Sequence, residues 1–131
     1  MALHKSYLDI PGTTVFDSEQ VRKGYELNQF CMSLMKAETR EAFKADQRAY
    51  LDRFPLSEEQ KQAVIDRDLT KLIELGGNVY YLVIITSADG LSVAHAASLM
   101  TDLSHEEYLE MMKKGGRSPE GNRYIGENNN G

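Results

Sequence analysis

The chain has 131 residues, of which 41% are hydrophobic, and its formal net charge at pH 7 is −5. This length fits one domain with a modest core and is too short for two. The negative charge provides no net attraction to nucleic-acid phosphates or anionic lipid, so the composition favours neither nucleic acid nor a membrane as a partner.

Cysteine content and hydropathy predict a cytoplasmic protein. Cys31 is the only cysteine, which excludes an internal disulfide and a cysteine-rich zinc site. The longest apolar run, residues 79–85, is far shorter than the roughly 20 residues that span a bilayer. Residues 1–10 lack the apolar core of a secretion signal.

The first half of the chain predicts two long helices. The first begins at Asp17 or Ser18 and has apolar residues every three or four positions, which predicts one buried stripe. The residues of this stripe are Val21, Tyr25, Leu27, Phe30, Leu34 and Met35. The second helix runs from about residue 38 to residue 53 and ends before Pro55.

Local capping signals mark the next two helices. Residues 57–60 read Ser-Glu-Glu-Gln, a capping box that predicts a short helix to about Arg67. Residues 69–75 predict one or two further helical turns. Gly76 and Gly77 can then end the helix in a left-handed backbone conformation, which residues with a Cβ resist.

Residues 79–85 suit either a buried strand or a buried helix, because they form a continuous run of β-branched and aromatic residues. Helix is favoured, since Asn78 can cap it and a lone strand would leave its backbone groups unpaired.

Three more signals complete the chain. Asp89-Gly90 predicts a turn, Ser92 can cap a short alanine-rich helix, and residues 104–107 form a second capping box that opens the last helix before Gly115-Gly116. The fold class predicted is therefore all-α, a compact single domain of about six to seven mostly short helices in residues 1–116. Residues 117–131 are polar and rich in Gly and Asn, and they predict a flexible tail.

The residue types offer little chemistry of their own. A non-haem Fe(II) site uses two histidines and one carboxylate, but His4, His95 and His105 show no ligand spacing, so no metal site is expected in this chain. His105 is expected to be exposed in the first turn of a helix. His95 is expected either as an interior histidine with satisfied hydrogen bonds or as a donor facing a partner's pocket.

The remaining candidates favour packing over catalysis. Cys31, on an apolar helix without an adjacent histidine, is expected to be a small buried hydrophobe, and no catalytic residue is predicted. Residues 76–78 lack the pattern of a phosphate-binding loop. Five methionines at helical spacings are expected to fill the core or an interface. They are Met32, Met35, Met100, Met111 and Met112.

Four segments carry a family resemblance: residues 22–36, 42–46, 76–80 and 116–119. Together they resemble the small α subunit of protocatechuate 4,5-dioxygenase and related class III extradiol ring-cleavage dioxygenases. The resemblance runs in register from about residue 7 to about residue 124.

This resemblance implies a non-catalytic subunit. In the family, a large β subunit holds Fe(II) and the catalytic residues, while the α subunit docks beside the active site and closes over it. The implied partner is therefore a β subunit, with a catecholic aromatic substrate and O2 at the subunit interface. The chain would exclude water and shape the pocket, and in isolation it would be inactive.

The resemblance also implies which residues form the lid over the substrate. They are Leu91, Ser92, Val93, Ala94 and His95. Family members commonly carry Phe at position 93, Lys at position 91 and Ser-Lys at positions 83–84, where this chain has Val83-Ile84. These differences leave protocatechuate, gallate, a methylated gallate, an aminophenol and a biaryl catechol as candidate substrates.

Two alternatives from other classes stand beside this hypothesis. The first is a stand-alone protein of the same fold that binds small aromatic compounds without oxygen chemistry. The second is a regulatory helical domain, since residues 91–114 loosely resemble a helix-turn-helix. Its second helix, however, carries Glu106, Glu107 and Glu110 where a DNA reader needs donors and positive charge.

Overall fold

A computed structural model describes residues 5–10, 13–118 and 120 of the chain. Within these ranges the chain is helical and contains no strand, which confirms the all-α fold class. The helices are α1 (Ser18–Lys23), α2 (Tyr25–Ser33), α3 (Ala37–Ala45), α4 (Gln47–Leu51), α5 (Glu58–Ile65), α6 (Leu69–Glu74), α7 (Val79–Ala88), α8 (Val93–Ser98) and α9 (His105–Lys113). None of them combines the length and hydropathy that crossing a bilayer would require.

The described ranges contain nine helices, whereas six to seven were predicted. The difference arises mainly because each of the two long predicted helices is broken into two. Gly24 lies between α1 and α2 with φ −100° and ψ 7°. Asp46 is extended, with φ −156° and ψ 95°, and its carboxylate accepts a 3.1 Å hydrogen bond from the Ala49 N–H. An aspartate that caps a new helix competes with continuation of the old one, which explains the second break.

The capping predictions are confirmed. Ser57 and Ser104 each form a complete capping box, with side-chain bonds in both directions across the first turn. The Asn78 side chain caps α7, which settles residues 79–85 as helix. Of the glycine pair after α6, Gly76 takes the left-handed conformation, with φ 98°, and Gly77 does not.

The core is built around α2 and an aromatic cluster. The Phe30 ring lies 5.3 Å from Phe43, 6.0 Å from Tyr50 and 5.7 Å from Phe54, measured between ring centroids. Such tilted and edge-on ring contacts stabilise the core beyond the contribution of buried apolar area alone. Cys31 beside them is fully buried, as predicted, and burial raises the pKa of its thiol to about 12. The thiol therefore stays protonated at neutral pH, which supports a packing role.

The predicted apolar stripe is only partly buried. Leu27, Phe30 and Leu34 have no exposed surface, whereas Val21, Tyr25 and Met35 are 45%, 57% and 66% exposed. The prediction, which treated residues 18–35 as one helix, is wrong for these three. Val21 lies on α1, which buries none of its residues, Tyr25 is the first residue of α2, and Met35 lies beyond the end of α2.

The methionine prediction needs a similar correction, because most of these side chains lie outside the core. Met32, Met35, Met100 and Met112 are exposed and Met111 is half-buried. Their coverage by a partner stays a prediction.

A glycine junction, formed by Gly24 and Gly76, joins the α1–α2 connection to the α6–α7 connection at backbone contact. The buried Gln60 amide bridges the two chain segments by donating to the carbonyls of Lys23, at 3.2 Å, and Leu75, at 3.1 Å. These bonds satisfy carbonyls at the ends of two helices. The junction fixes α7 against α2, and α7 in turn carries the segment that leads to α8.

Asp17 caps α1 and accepts hydrogen bonds from both charged and neutral donors. Its carboxylate accepts 2.8 Å hydrogen bonds from the Lys5 ammonium and the Tyr7 hydroxyl, and a 3.0 Å bond from the Gln20 N–H. The Lys5 bond, followed by the Gln20 and Tyr7 bonds, holds the pKa of Asp17 well below its usual range. A carboxyl with a lowered folded-state pKa stabilises the fold above its unfolded pKa, near 4, and this contribution falls away as the pH drops further.

We therefore expect Asp17→Asn to destabilise the chain at pH 7 and to have a smaller effect at pH 3. The amide can still cap the helix but cannot pair with the Lys5 ammonium. Urea unfolding of both proteins at the two pH values measures this difference. Asp68→Asn, at the cap of α6, is the control: it gives the loss of unfolding free energy when an aspartate cap is replaced by asparagine. An equal loss for Asp17→Asn at both pH values would contradict the electrostatic role.

Candidate functional site

The predicted lid, residues 91–95, follows a tight turn at the end of α7 and is called the lid segment below. Gly90 takes φ 82°, and the Leu91 N–H donates to the Thr86 carbonyl at 2.9 Å. The glycine permits a left-handed turn at low cost. The chain therefore turns within the four residues 89–92 and enters α8.

An ion pair holds the base of this turn. Arg67 donates from Nε to Asp89 Oδ2 at 2.6 Å and from Nη2 to Asp89 Oδ1 at 3.1 Å. Two parallel bonds of this kind fix orientation as well as distance. Arg67 itself follows α5 with φ 55°, a conformation uncommon for a residue with a side chain. The lid segment is thus anchored to the far end of α5.

Within the lid segment, Val93 is an apolar residue that is exposed to solvent. Its side chain is 67% exposed, whereas Leu91, Ala94 and His95 are half-buried. Ser92 is exposed and caps α8, accepting a 3.1 Å bond from the His95 N–H. The first turn of α8 consequently presents one apolar side chain outward from a capped helix end.

Val93 also lines a cavity of about 80 Å³ formed by α6, α7 and α8. All its lining residues are apolar: Leu69, Ile73, Val79, Leu82, Val83, Val93, Ala96, Ala97 and Met100. Val79 and Met100 are, like Val93, partly exposed, at 46% and 37%. A cavity without polar partners does not hold water well and suits an apolar group.

Two of the positions that differ from the usual family residues meet in this cavity. Val83 and Val93 both line it. Ile84 instead packs against the main core, and Leu91 lies half-buried beside the turn. Val83 and Ile84 are both half-buried, which is consistent with the packing of α7.

The two histidines of α8 and α9 stack on each other. The ring centroids of His95 and His105 lie 4.5 Å apart with an angle of 28° between the planes. His105 is half-buried and its Nδ1 atom is enclosed without a hydrogen-bond partner. The expectation of an exposed His105 is therefore wrong, because α8 folds back over the first turn of α9. His95 is half-buried, and its imidazole contacts this ring.

A model of the family described as "Aromatic-ring-opening dioxygenase LigAB, LigA subunit" matches residues 27–113, more than half of the chain. The chain belongs to this family. The matched range extends from α2 into α9, and it contains the lid segment and both stacked histidines. The chain is thus the α subunit of an aromatic-ring-opening dioxygenase, which confirms the family resemblance. Membership favours the subunit hypothesis over the stand-alone binding protein and the regulatory domain.

The described part of this LigA-family subunit does not fit the ligand set of a non-haem iron. In the described ranges, no three side chains of His, Cys, Asp or Glu come close enough to hold a metal ion. The stacked imidazoles of His95 and His105 lie in nearly parallel planes, so their nitrogens do not converge on one point. A facial triad needs two histidines and a carboxylate that do converge. His4 lies outside the described residues, as does most of the predicted tail, namely residues 119 and 121–131.

Sequence reasoning missed two features of this LigA-family site. The Arg67–Asp89 pair had no local signal, since Arg67 follows α5 and Asp89 follows α7, 22 residues later in the chain. The histidine stack had a partial one, because Ser92 and Ser104 place His95 and His105 near the starts of successive helices. The angle between those helices, which brings the rings together, depends on tertiary packing.

Proposed function

We propose that this chain is the non-catalytic α subunit of a heteromeric extradiol dioxygenase that cleaves catecholic aromatic acids such as protocatechuate at the 4,5 position. Its role is to form the lid of a pocket in an iron-bearing β subunit. The observation that carries this proposal is membership of the LigA family. We further propose that Fe(II) is bound by the β subunit, that substrate and O2 meet at the interface, and that the enzyme is cytoplasmic.

The geometry of the lid segment supports this role. A lid must be held in position and must also present a surface to the substrate. The segment is fixed at its base by the Arg67–Asp89 pair and presents Val93 outward. Covering a pocket with such a surface excludes water, which strengthens electrostatic interactions within the pocket and limits side reactions.

The cavity beside Val93 bears on the choice of substrate. Valine is smaller than the phenylalanine common at this position, and the apolar cavity adjoins the lid segment. An apolar substituent on the substrate ring would find space and apolar contact there. This favours a substrate bulkier than protocatechuate, such as a methylated gallate or a biaryl catechol.

Reconstitution tests the proposal. The chain is purified alone and, separately, co-expressed with a β subunit of an aromatic-ring-opening dioxygenase, and O2 uptake with protocatechuate and with 3-O-methylgallate is measured after loading with Fe(II). We expect no ring opening by the chain alone and activity in the complex, with the large subunit alone as the reference. Ring opening by the chain alone would show that the proposal is wrong.

A further inference from the structure

We propose that His105 is a positioning residue for the lid segment. Its imidazole, stacked on His95, holds the first turn of α8 in the orientation that presents Val93 to the substrate. This inference rests on the proposed function, because it assigns His105 an effect on substrate selection by the lid. His105 itself lies on α9, outside the lid segment.

The α8 helix is too short to hold its orientation without support. The helix has six residues, Val93–Ser98, and a helix of this length is not stable by itself. Its orientation therefore depends on packing. Ala96, which is 2% exposed, belongs to the buried core, and α8 contacts both α7 and α9.

The His95–His105 stack is the aromatic contact between α8 and α9. A centroid separation of 4.5 Å is at the close end of the range for favourable aromatic pairs. His95 lies two residues after Val93 in the same helical turn. Any rotation of α8 that moves Val93 must therefore also slide one imidazole across the other.

The stack does not depend on polar bonds. His105 Nδ1 is enclosed and has no hydrogen-bond partner among the described residues. A buried polar atom without a partner lowers stability, so this nitrogen does not explain the contact. The flat ring explains it, which means that an aromatic side chain without nitrogens should serve equally well at position 105. A merely polar or charged role would give the opposite result.

Four variants of the assembled enzyme separate these roles: His105→Phe, His105→Ala, His105→Gln and, as the control, Glu106→Ala at the exposed neighbouring position. We expect His105→Phe and Glu106→Ala to match the wild type. His105→Ala and His105→Gln are expected to raise KM by about 2- to 10-fold, the equivalent of one lost aromatic pair, with little change in kcat. His105→Gln remains informative if His105→Ala does not fold, since Gln is tolerated on helix surfaces.

NMR of the full isolated chain gives a readout that does not depend on activity. The ring protons of His95 should be shifted upfield by the His105 ring, and the shift should persist in His105→Phe and vanish in His105→Gln. Loss of the shift with unchanged KM would overturn the inference. So would rescue by Gln and not by Phe. If His105→Gln has either of these results but Val93→Phe still alters selectivity, the inference about His105 is wrong and the proposed lid role is retained. If neither Val93→Phe nor the His105 variants alter substrate use, the proposed lid role is itself wrong.

Discussion

Adding one methyl group at Gly24 is expected to lower the free energy of unfolding by on the order of 3 kcal/mol. A Cβ at this position would lie 1.7 Å from the Gly76 carbonyl oxygen and 2.2 Å from its carbon. Both atoms belong to the backbone, so no side-chain rotation relieves the clash, and the two sides of the glycine junction must move apart. Guanidinium unfolding measures the loss, and a thermal scan should show a fall of roughly 10 °C.

Gly90→Ala is the matched control for this substitution. Gly90 is left-handed, with φ 82°, but a Cβ there would have no atom within 4 Å. Its replacement should cost only the conformational strain, about 1 kcal/mol. Gly24, at φ −100°, carries no such strain, so its cost is purely steric. If Gly24→Ala is as stable as Gly90→Ala, the junction is not packed at backbone contact.

Val93→Phe is expected to shift the selectivity of the assembled enzyme toward protocatechuate and away from bulkier catechols. An aromatic side chain at the exposed start of α8 would restore a wall against the substrate ring and narrow access to the apolar cavity. Burial of such a contact contributes about 1–3 kcal/mol, equivalent to a roughly 5- to 150-fold change in the ratio of kcat/KM values. Competition between protocatechuate and 3-O-methylgallate measures that ratio directly.

Val21→Phe controls for a larger apolar side chain elsewhere on the surface. Val21 is 45% exposed on α1 and lies before the residues that match the family. It should leave the selectivity ratio unchanged. A Val93→Phe variant with unchanged selectivity but higher thermal stability would indicate that the new ring fills the cavity and does not face the substrate.

Under the proposed function, the lid segment would let a small helical subunit shape chemistry that it does not perform. Three contacts restrain it: the Arg67–Asp89 ion pair, the backbone bond from Leu91 to Thr86, and the histidine stack. Arg67, Asp89, Thr86 and His105 lie outside the lid segment and need not touch the substrate. Their proposed effect is to hold Val93 at a fixed position. A side chain that is positioned before the substrate binds loses less conformational entropy on binding, and it therefore discriminates better between substrates.

The amino-acid sequence by itself determined where most helices begin. Ser57, Asn78 and Ser104 cap their helices through bonds that reach no more than three residues along the chain, so the signal and its structural effect are both local. The family could be identified for a similar reason, because its segments are readable in the linear order of residues.

Only the tertiary structure decided where α1 ends and how the helices are exposed and paired. Gly24 ends α1 at the point where Gly76 passes against it, and Val21 is exposed because α1 lies outside the core. The His95–His105 contact likewise depends on the angle between α8 and α9. Each of these outcomes depends on contacts between helices. Such contacts are set by how the whole chain fills its core, and no pattern within a single helix contains that information.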